Sequence, residues 1–405
     1  MDPLRAAPLA GVRVLDIGHI VAGPYTSRLL ADLGADVVKI ESRSRREGLG
    51  RTRLPAGYKG RRDRSPHMLM INRNKRSVTI DLKSPSGVAI ASRLGAVADV
   101  LIENFSAGVM DRLGLGYESL RASNPGLIYL SASGYGHNGP RRDWTSMNLN
   151  LQAYSGLMMT TGAEGDPPTT VSASLNDYLG ALHGCVAVLN ALYERKVTGH
   201  GANLDLSQFE CSIASLGALL MASSVNKVVP PRMGNRSEDA APQGCYRCLG
   251  DDQWCAVSVR NDEQWKALVA LLRAYPELRD ARFACLEGRL AHHDDIDAAI
   301  ERWTVQLPDV EVEERLTLAG IPARRMRRTK DILADPQIER VFAPIEDPPG
   351  HWPLMPKLPI EFSRSPVTEV SRSPHIGEHT SVILQEWLGL STTQVADLDN
   401  EGALV

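Results

Sequence analysis

Between Val12 and Ile102 the chain alternates short β-rich runs with helical stretches, and this alternation restricts its fold more than any other feature. Val12-Arg13-Val14-Leu15-Asp16-Ile17 reads as a strand after Gly11. Ala22-Gly23-Pro24 then opens a helix to about Leu33, with Pro24 in its first turn and Gly34 just past its end. Asp36–Ile40 is a second strand and Val78–Leu82 a third. A helix from Ser84-Pro85 towards Ala98 leads into a fourth strand, Asp99–Ile102. Strands joined through helices can lie parallel in one sheet only if the helices cover its faces. The expectation is therefore an α/β fold, a Rossmann-like large domain with a parallel sheet.

The rest of the chain extends this pattern and then leaves it. Ile128–Leu130 is another strand, followed by the loop Gly134-Tyr135-Gly136-His137-Asn138-Gly139-Pro140. A helix begins near Asp177. Its Leu179, Leu182, Val186, Leu189 and Tyr193 fall three and four apart and read as one apolar face. Gly199 and Gly201 break it before the strand Asn203–Leu206, and a second long helix is expected from Gln208. From Pro230 the texture changes. Strand-like Trp254–Val259 and several helices to about Leu318 read as a smaller α+β domain, and the Pro-rich tail from Pro344 closes with a helix around Ser381 to Leu388. The basic stretch from Arg43 to Arg76 reads as a long solvated or functional loop.

Composition excludes several classes of function. A chain of 405 residues suggests about two domains, and a net charge of −3 does not suit a nucleic-acid binder or an anionic membrane surface. The six cysteines are too sparse for a disulfide framework. Cys245 and Cys248 form one C-x-x-C without the second pair that a zinc site needs, so they read as thiols in a strand. Met1-Asp2-Pro3 does not open a secretory leader, and no run of about 20 apolar residues is present to span a membrane. The expected setting is cytoplasmic. The segment after the first strand, Gly18–Pro24, lacks the G-x-G-x-x-G spacing of a dinucleotide site, which weakens a nicotinamide oxidoreductase reading.

Asp177 sits in Ser174-Leu175-Asn176-Asp177-Tyr178, at the expected start of the central helix. Spacing alone leaves two readings open. Ser174 and Asp177 match a capping-box-like S-x-x-D, or Asp177 is a carboxylate held ionised by the helix N-terminus, an effect of ~0.3–1 kcal/mol.

An ordered set of motifs bears on this choice. It comprises Gly11–Asp16 with Ala22-Gly23-Pro24, Leu33–Glu41, Asn74–Ser77 with Asp81-Leu82-Lys83, and Ile102–Phe105 with Asp111–Gly114. Gly199-His200-Gly201 and Gly377–Thr380 complete it. In this the chain resembles the family III coenzyme A transferases, which include formyl-CoA and carnitine CoA transferases and the alpha-methylacyl-CoA racemases. The resemblance spans nearly the whole chain and implies that Asp177 is the nucleophile. Its carboxylate attacks an acyl-CoA to give a mixed anhydride and CoA thiolate. The thiolate then gives an aspartyl-CoA thioester, and an acceptor acid reverses the steps. The implied substrates are an acyl-CoA and a carboxylic acid, with no metal or redox cofactor.

The resemblance also implies CoA-binding positions: His19 and Val21 in the first loop, Lys75, Asn104 and Arg112, with Arg43 added by proximity; Tyr135, with Asn148 and Tyr154, is a pocket candidate that no family position marks. It implies an interlocked homodimer. Its large domain comes from residues 1–214 and 346–405, its small domain from 234–330, and its linkers from 215–233 and 331–345. Three departures narrow the activity. Val21 stands where formyl-CoA transferase has glutamine. Asn235–Gly244 replaces that enzyme's Gly-rich loop. Met147 occupies the position of the racemases' proton-transfer histidine, and a thioether moves no proton. The alternatives are an acyl-CoA isomerase or racemase of the same family and a non-catalytic CoA-binding protein.

Overall fold

The computed structural model describes residues 6–43, 65–171, 174–346, 353–366 and 369–404. Most of the basic stretch after Arg43 therefore lies outside the described residues. The chain forms two compact units. One comprises residues 1–158, 170–227 and 339–405, and the other 159–169 and 228–338.

The larger unit is built on six parallel strands: β1 (Arg13–Asp16), β2 (Asp36–Glu41), β3 (Arg76–Thr79), β4 (Val100–Glu103), β5 (Ile128–Ser133) and β6 (Ala202–Ser207). Their order is β3-β2-β1-β4-β5-β6, the order of doubly wound nucleotide-binding sheets. Successive strand residues point to opposite faces, and both faces are dry. Leu15, Val38, Val78 and Leu101 pack to one side, while Val14, Val37, Val100 and Leu130 pack to the other.

Helices α1 (Ala22–Asp32), α2 (Pro66–Asn72), α3 (Pro85–Val97), α4 (Val109–Arg112), α5 (Tyr117–Arg121), α6 (Asn148–Tyr154) and α7 (Leu175–Thr198) follow in chain order. The expected long helix from Gln208 is two, α8 (Gln208–Ser215) and α9 (Gly217–Asn226), bent by 65° at the break. C-terminal helices Thr380–Leu388 and Thr392–Asn400 join α3 on the first face. There Asp81 N donates to Ala403 O and Thr79 Oγ1 to Leu404 O.

The apolar stripe of α7 lies on one face, and most of it is uncovered. Leu182, Val186 and Tyr193 are 52%, 58% and 74% exposed, while Leu179 and Leu189 are only partly covered. The buried face consists of Gly180, Ala181, Gly184, Cys185, Val188 and Ala191. A Cβ on Gly184 would lie 3.0 Å from Leu130 Cδ2, so the small residues let α7 lie close on β5 and α1.

The smaller unit carries an antiparallel sheet of β7 (Gln243–Arg247), β8 (Trp254–Ser258) and β9 (Ala323–Arg325). One face packs on α10 (Asp262–Leu271), α12 (His293–Thr304) and α13 (Asp309–Leu318), with α11 (Leu286–Ala291) between. Cys248 and Cys255 are buried on that side, Cys245 is half-buried, and all six cysteines are free thiols. Among the described residues no single helix is long and apolar enough to cross a membrane.

Candidate active site

A cavity of about 660 Å³ opens in the larger unit at the carboxyl ends of the strands, where ligands of doubly wound sheets bind. Five strands end on it. Ile17, His19 and Ile20 follow β1, Glu41 and Ser42 end β2, and Ile80–Lys83 follow β3. Asn104–Ser106 follow β4, and Ser133–Tyr135 end β5. Arg142, Trp144, Thr145 and Ser146 close one side.

The loop between β1 and α1 is held by two buried devices. The first is Asp16, fully buried at the end of β1. Its carboxylate takes the Lys75 ammonium at 2.9 Å, the Ser27 hydroxyl at 2.8 Å and the Gly18 N–H at 2.8 Å, with Lys39 Nζ 4.0 Å away. Burial alone would raise this acid, but the two ammonium charges and the hydrogen bonds prevail and hold it down to about 2. Lys75 also donates to Pro24 O and Asn72 Oδ1, and Lys39 to Gly18 O. The second device is Asn104. It accepts from His19 N at 2.7 Å and donates to His19 O at 2.8 Å, clamping the backbone of the loop. The next residue, Ile20, has φ +65°, a conformation a β-branched side chain rarely adopts and that costs on the order of 1–3 kcal/mol. The clamp and the Asp16 node hold it there. Gly23 leaves room for the clamp, since a Cβ on it would meet Asn104 Oδ1 at 3.3 Å.

Asp177 stands in the first turn of α7, after Ser174. Ser174 makes no side-chain capping bond, so the capping box is not formed. The Asp177 carboxylate is half-buried, and it makes no hydrogen bond or ion pair among the described residues. Burial therefore governs it and pushes its pKa up to about 6. The helix N-terminus contributes ~0.3–1 kcal/mol, less than one pKa unit, which is why the carboxyl sits above its ordinary value rather than below it. At neutral pH it is still mostly ionised. Its neighbours fix the turn. Asn176 is fully buried and bonds Ser212 on α8, and Ser212 donates to Gln208 O at 2.8 Å. The Tyr178 ring meets Tyr25 of α1 edge-on at 4.9 Å.

The structure brings only some of the expected residues together. His19, Asn104 and Tyr135 line the cavity. The His19 ring meets Phe105 at 5.1 Å, and Tyr135 packs against Trp144 at 5.5 Å. Val21 is 1% exposed and accepts from Tyr25 N, so its side chain points into the interior. Lys75 lies beneath the loop with its ammonium on Asp16, not in the cavity. Arg43 and Arg112 are exposed and line no part of it, although Val109 and Leu113 beside Arg112 do. Asp177 lies on the helix packed against α1, not among the lining residues. Among the described residues the lysine and arginine that line it are Lys83 and Arg142. Lys83 carries a readable signal, a lysine just past the carboxyl end of a parallel strand. Arg142 sits in an irregular loop and carries none.

Residues 9–380 match the family described as CoA-transferase family III. The chain is 34% identical over 96% of both chains to the succinyl-CoA–L-malate CoA-transferase beta subunit of Chloroflexus aurantiacus. It is 38% identical to the acetyl-CoA:oxalate CoA-transferase of Acetobacter aceti over 78% of this chain and 79% of that one. The crystal structure of a CAIB/BAIF family protein from Brucella suis covers 95% of this chain and 100% of its own, with TM-score 0.86 and 32% identity. With a doubly wound sheet, a cavity at its carboxyl edge and these relatives, the chain belongs to family III of the CoA-transferases, enzymes that exchange CoA between an acyl-CoA and a carboxylate.

Proposed function

We propose that the protein moves CoA from an acyl-CoA to a short dicarboxylic acid through covalent intermediates on Asp177. The observation that carries this reading is the state of Asp177: a half-buried carboxylate at a helix start, with no cation or donor among the described residues to stabilise it. A carboxylate kept from solvation is a better nucleophile than a paired one. Attack of its oxygen on the thioester carbonyl breaks the carbon–sulfur bond and yields an acyl-aspartyl anhydride and CoA thiolate. The thiolate adds to the aspartyl carbonyl and expels the donor acid. The acceptor carboxylate then attacks the aspartyl thioester, and CoA thiolate returns to the new acyl group.

The cavity suits the CoA moiety. Lys83 and Arg142 offer charge to phosphates, and the apolar wall from Ile17, Ile80, Phe105 and Leu113 suits the uncharged parts. His19, Asn104 and Tyr135 are contact residues in this reading. Relatives named for L-malate, D-citramalate, oxalate and glutarate all take dicarboxylates, which makes short dicarboxylates the acceptor class. The uncovered apolar side chains Leu182, Val186 and Tyr193 of α7, and Met221 and Val225 of α9, support a second copy of the chain as partner. The reading places the enzyme in the cytoplasm.

Steady-state exchange tests it. With succinyl-CoA as donor and malate, glutarate or oxalate as acceptor, the reading expects CoA transfer to at least one of these acids, with parallel double-reciprocal plots where the donor acid leaves before the acceptor binds. CoA binding with no transfer to any of these acids would reject it.

A further inference from the structure

Two buried polar atoms beside the cavity lack hydrogen-bond partners among the described residues and face each other. Glu103 ends β4 and is fully buried, and its Oε1 makes no hydrogen bond. His137, in the loop after β5, is likewise unpartnered at Nε2, and the two atoms are 3.7 Å apart. That is too long for a hydrogen bond and close enough to become one with a small movement. An unmet buried acceptor costs about 1–3 kcal/mol, so the arrangement calls for a purpose.

The position of the pair supplies one. Glu103 Oε2 accepts from Phe105 N at 2.7 Å, so Glu103 shapes the turn holding Asn104 and Phe105, which wall the cavity. His137 belongs to the loop that supplies Gly134 and Tyr135 to the opposite wall, and its backbone N–H is anchored on Asp205 at 2.9 Å. The pair thus bridges two loops that a ligand must touch. The groups facing Glu103 are the Ser131 hydroxyl and Tyr129 on β5, His137, and Asp111 on α4. Burial first, with Asp111 adding to it, pushes the Glu103 acid up, against the Ser131, Phe105 and His137 contacts.

We infer that Glu103 and His137 are positioning residues that share a proton between the two cavity walls, and that an anionic ligand entering the cavity brings a proton onto this pair. The direction follows from charge. Phosphates beside a low-dielectric pair disfavour its more negative protonation state, so binding draws a proton from the buffer. One proton between Oε1 and Nε2 also completes the missing hydrogen bond and draws the walls together.

This rests on the CoA reading of the cavity, and calorimetry separates the two. The ligand is 3′-dephospho-CoA, whose diphosphate does not titrate near neutrality. It is bound to the full-length protein at pH 7.5 in phosphate and in Tris, which differ in heat of ionisation. The expected result is a net uptake of a fraction of a proton per ligand, falling by more than half in both Glu103→Gln and His137→Gln. Glu103→Gln keeps an acceptor for Phe105 N but cannot titrate. His137→Gln, in the surface loop, keeps the test open if the buried substitution does not fold. Binding with no buffer dependence in the wild type, or with unchanged uptake in the variants, would overturn the inference. No binding heat in the wild type would overturn the functional reading beneath it.

Discussion

Asp16 and Asp177 lie in the same unit and are treated in opposite ways. Asp16 is sealed at the end of β1 and met by two ammonium groups, a hydroxyl and a backbone N–H, which hold it down to about 2. Asp177 is half-buried at the start of α7, where nothing among the described residues offsets the loss of water, and it rises to about 6. Paired with cations and donors, the first carboxylate shapes a loop and is held ionised. The second meets no donor among the described residues, and its charge is poorly solvated. The difference separates a structural acid from a reactive one.

The largest expected effect tests the reactive side. Asp177→Asn should lower CoA transfer by about 10³-fold or more, since an amide forms no anhydride, while the variant stays folded and still binds CoA. The next tests the structural side. Lys75→Met removes one ammonium from Asp16 and leaves buried charge uncompensated. It should cost on the order of 3–5 kcal/mol in denaturant unfolding. If Lys75→Met instead left stability intact and weakened only CoA binding, Lys75 would be a ligand residue and the contrast would fail.

Acid should separate the two carboxylates. The kcat/KM for the acyl-CoA should fall about tenfold per pH unit below about 6, as Asp177 takes a proton. Asp16 remains ionised there. Its folded pKa is depressed, so the stability it contributes is present above about 4 and lost only as pH falls through about 2. The smallest effect has the opposite sign. Asp177 has a raised folded pKa, so the fold bears the cost of its charge above about 6 and is free of it below about 4. Asp177→Asn should therefore stabilise the protein by on the order of 1–2 kcal/mol at pH 8, with the gain vanishing near pH 4. Parallel unfolding curves at both pH values would show that the carboxylate carries no burial cost.

The sheet was legible because strand alternation and flanking Gly and Pro are local signals. β1, β2 and β4 fall within a residue or two of their expected limits. β3 was read two residues late, at Val78–Leu82 instead of Arg76–Thr79. Apolar Ile80 and Leu82 look like strand residues, but after Ile80 N donates to Glu41 O the chain leaves the ladder, and both side chains line the cavity. The stripe on α7 was legible as one apolar face, but not what covers it. Hydrophobic spacing marks the side that seeks apolar cover, whereas close packing within this chain selected glycine and alanine. Lys75 sits in a basic stretch that reads as ligand-binding or solvated. Its partner is Asp16, 59 positions away, and no local pattern announces such a pairing. Asn104 was legible only through the family motif Ile102–Phe105, and the structure sets it, with Tyr135, at the cavity because residues following parallel strands gather at one edge of the sheet.

The central claim is that Asp177 carries the acyl group. The direct test is to incubate the protein with succinyl-CoA, quench with hydroxylamine, which captures activated carboxyls, and map the peptides by mass spectrometry. The account predicts a hydroxamate on Asp177 that depends on the acyl-CoA. No label, or a label on another carboxylate, would contradict it.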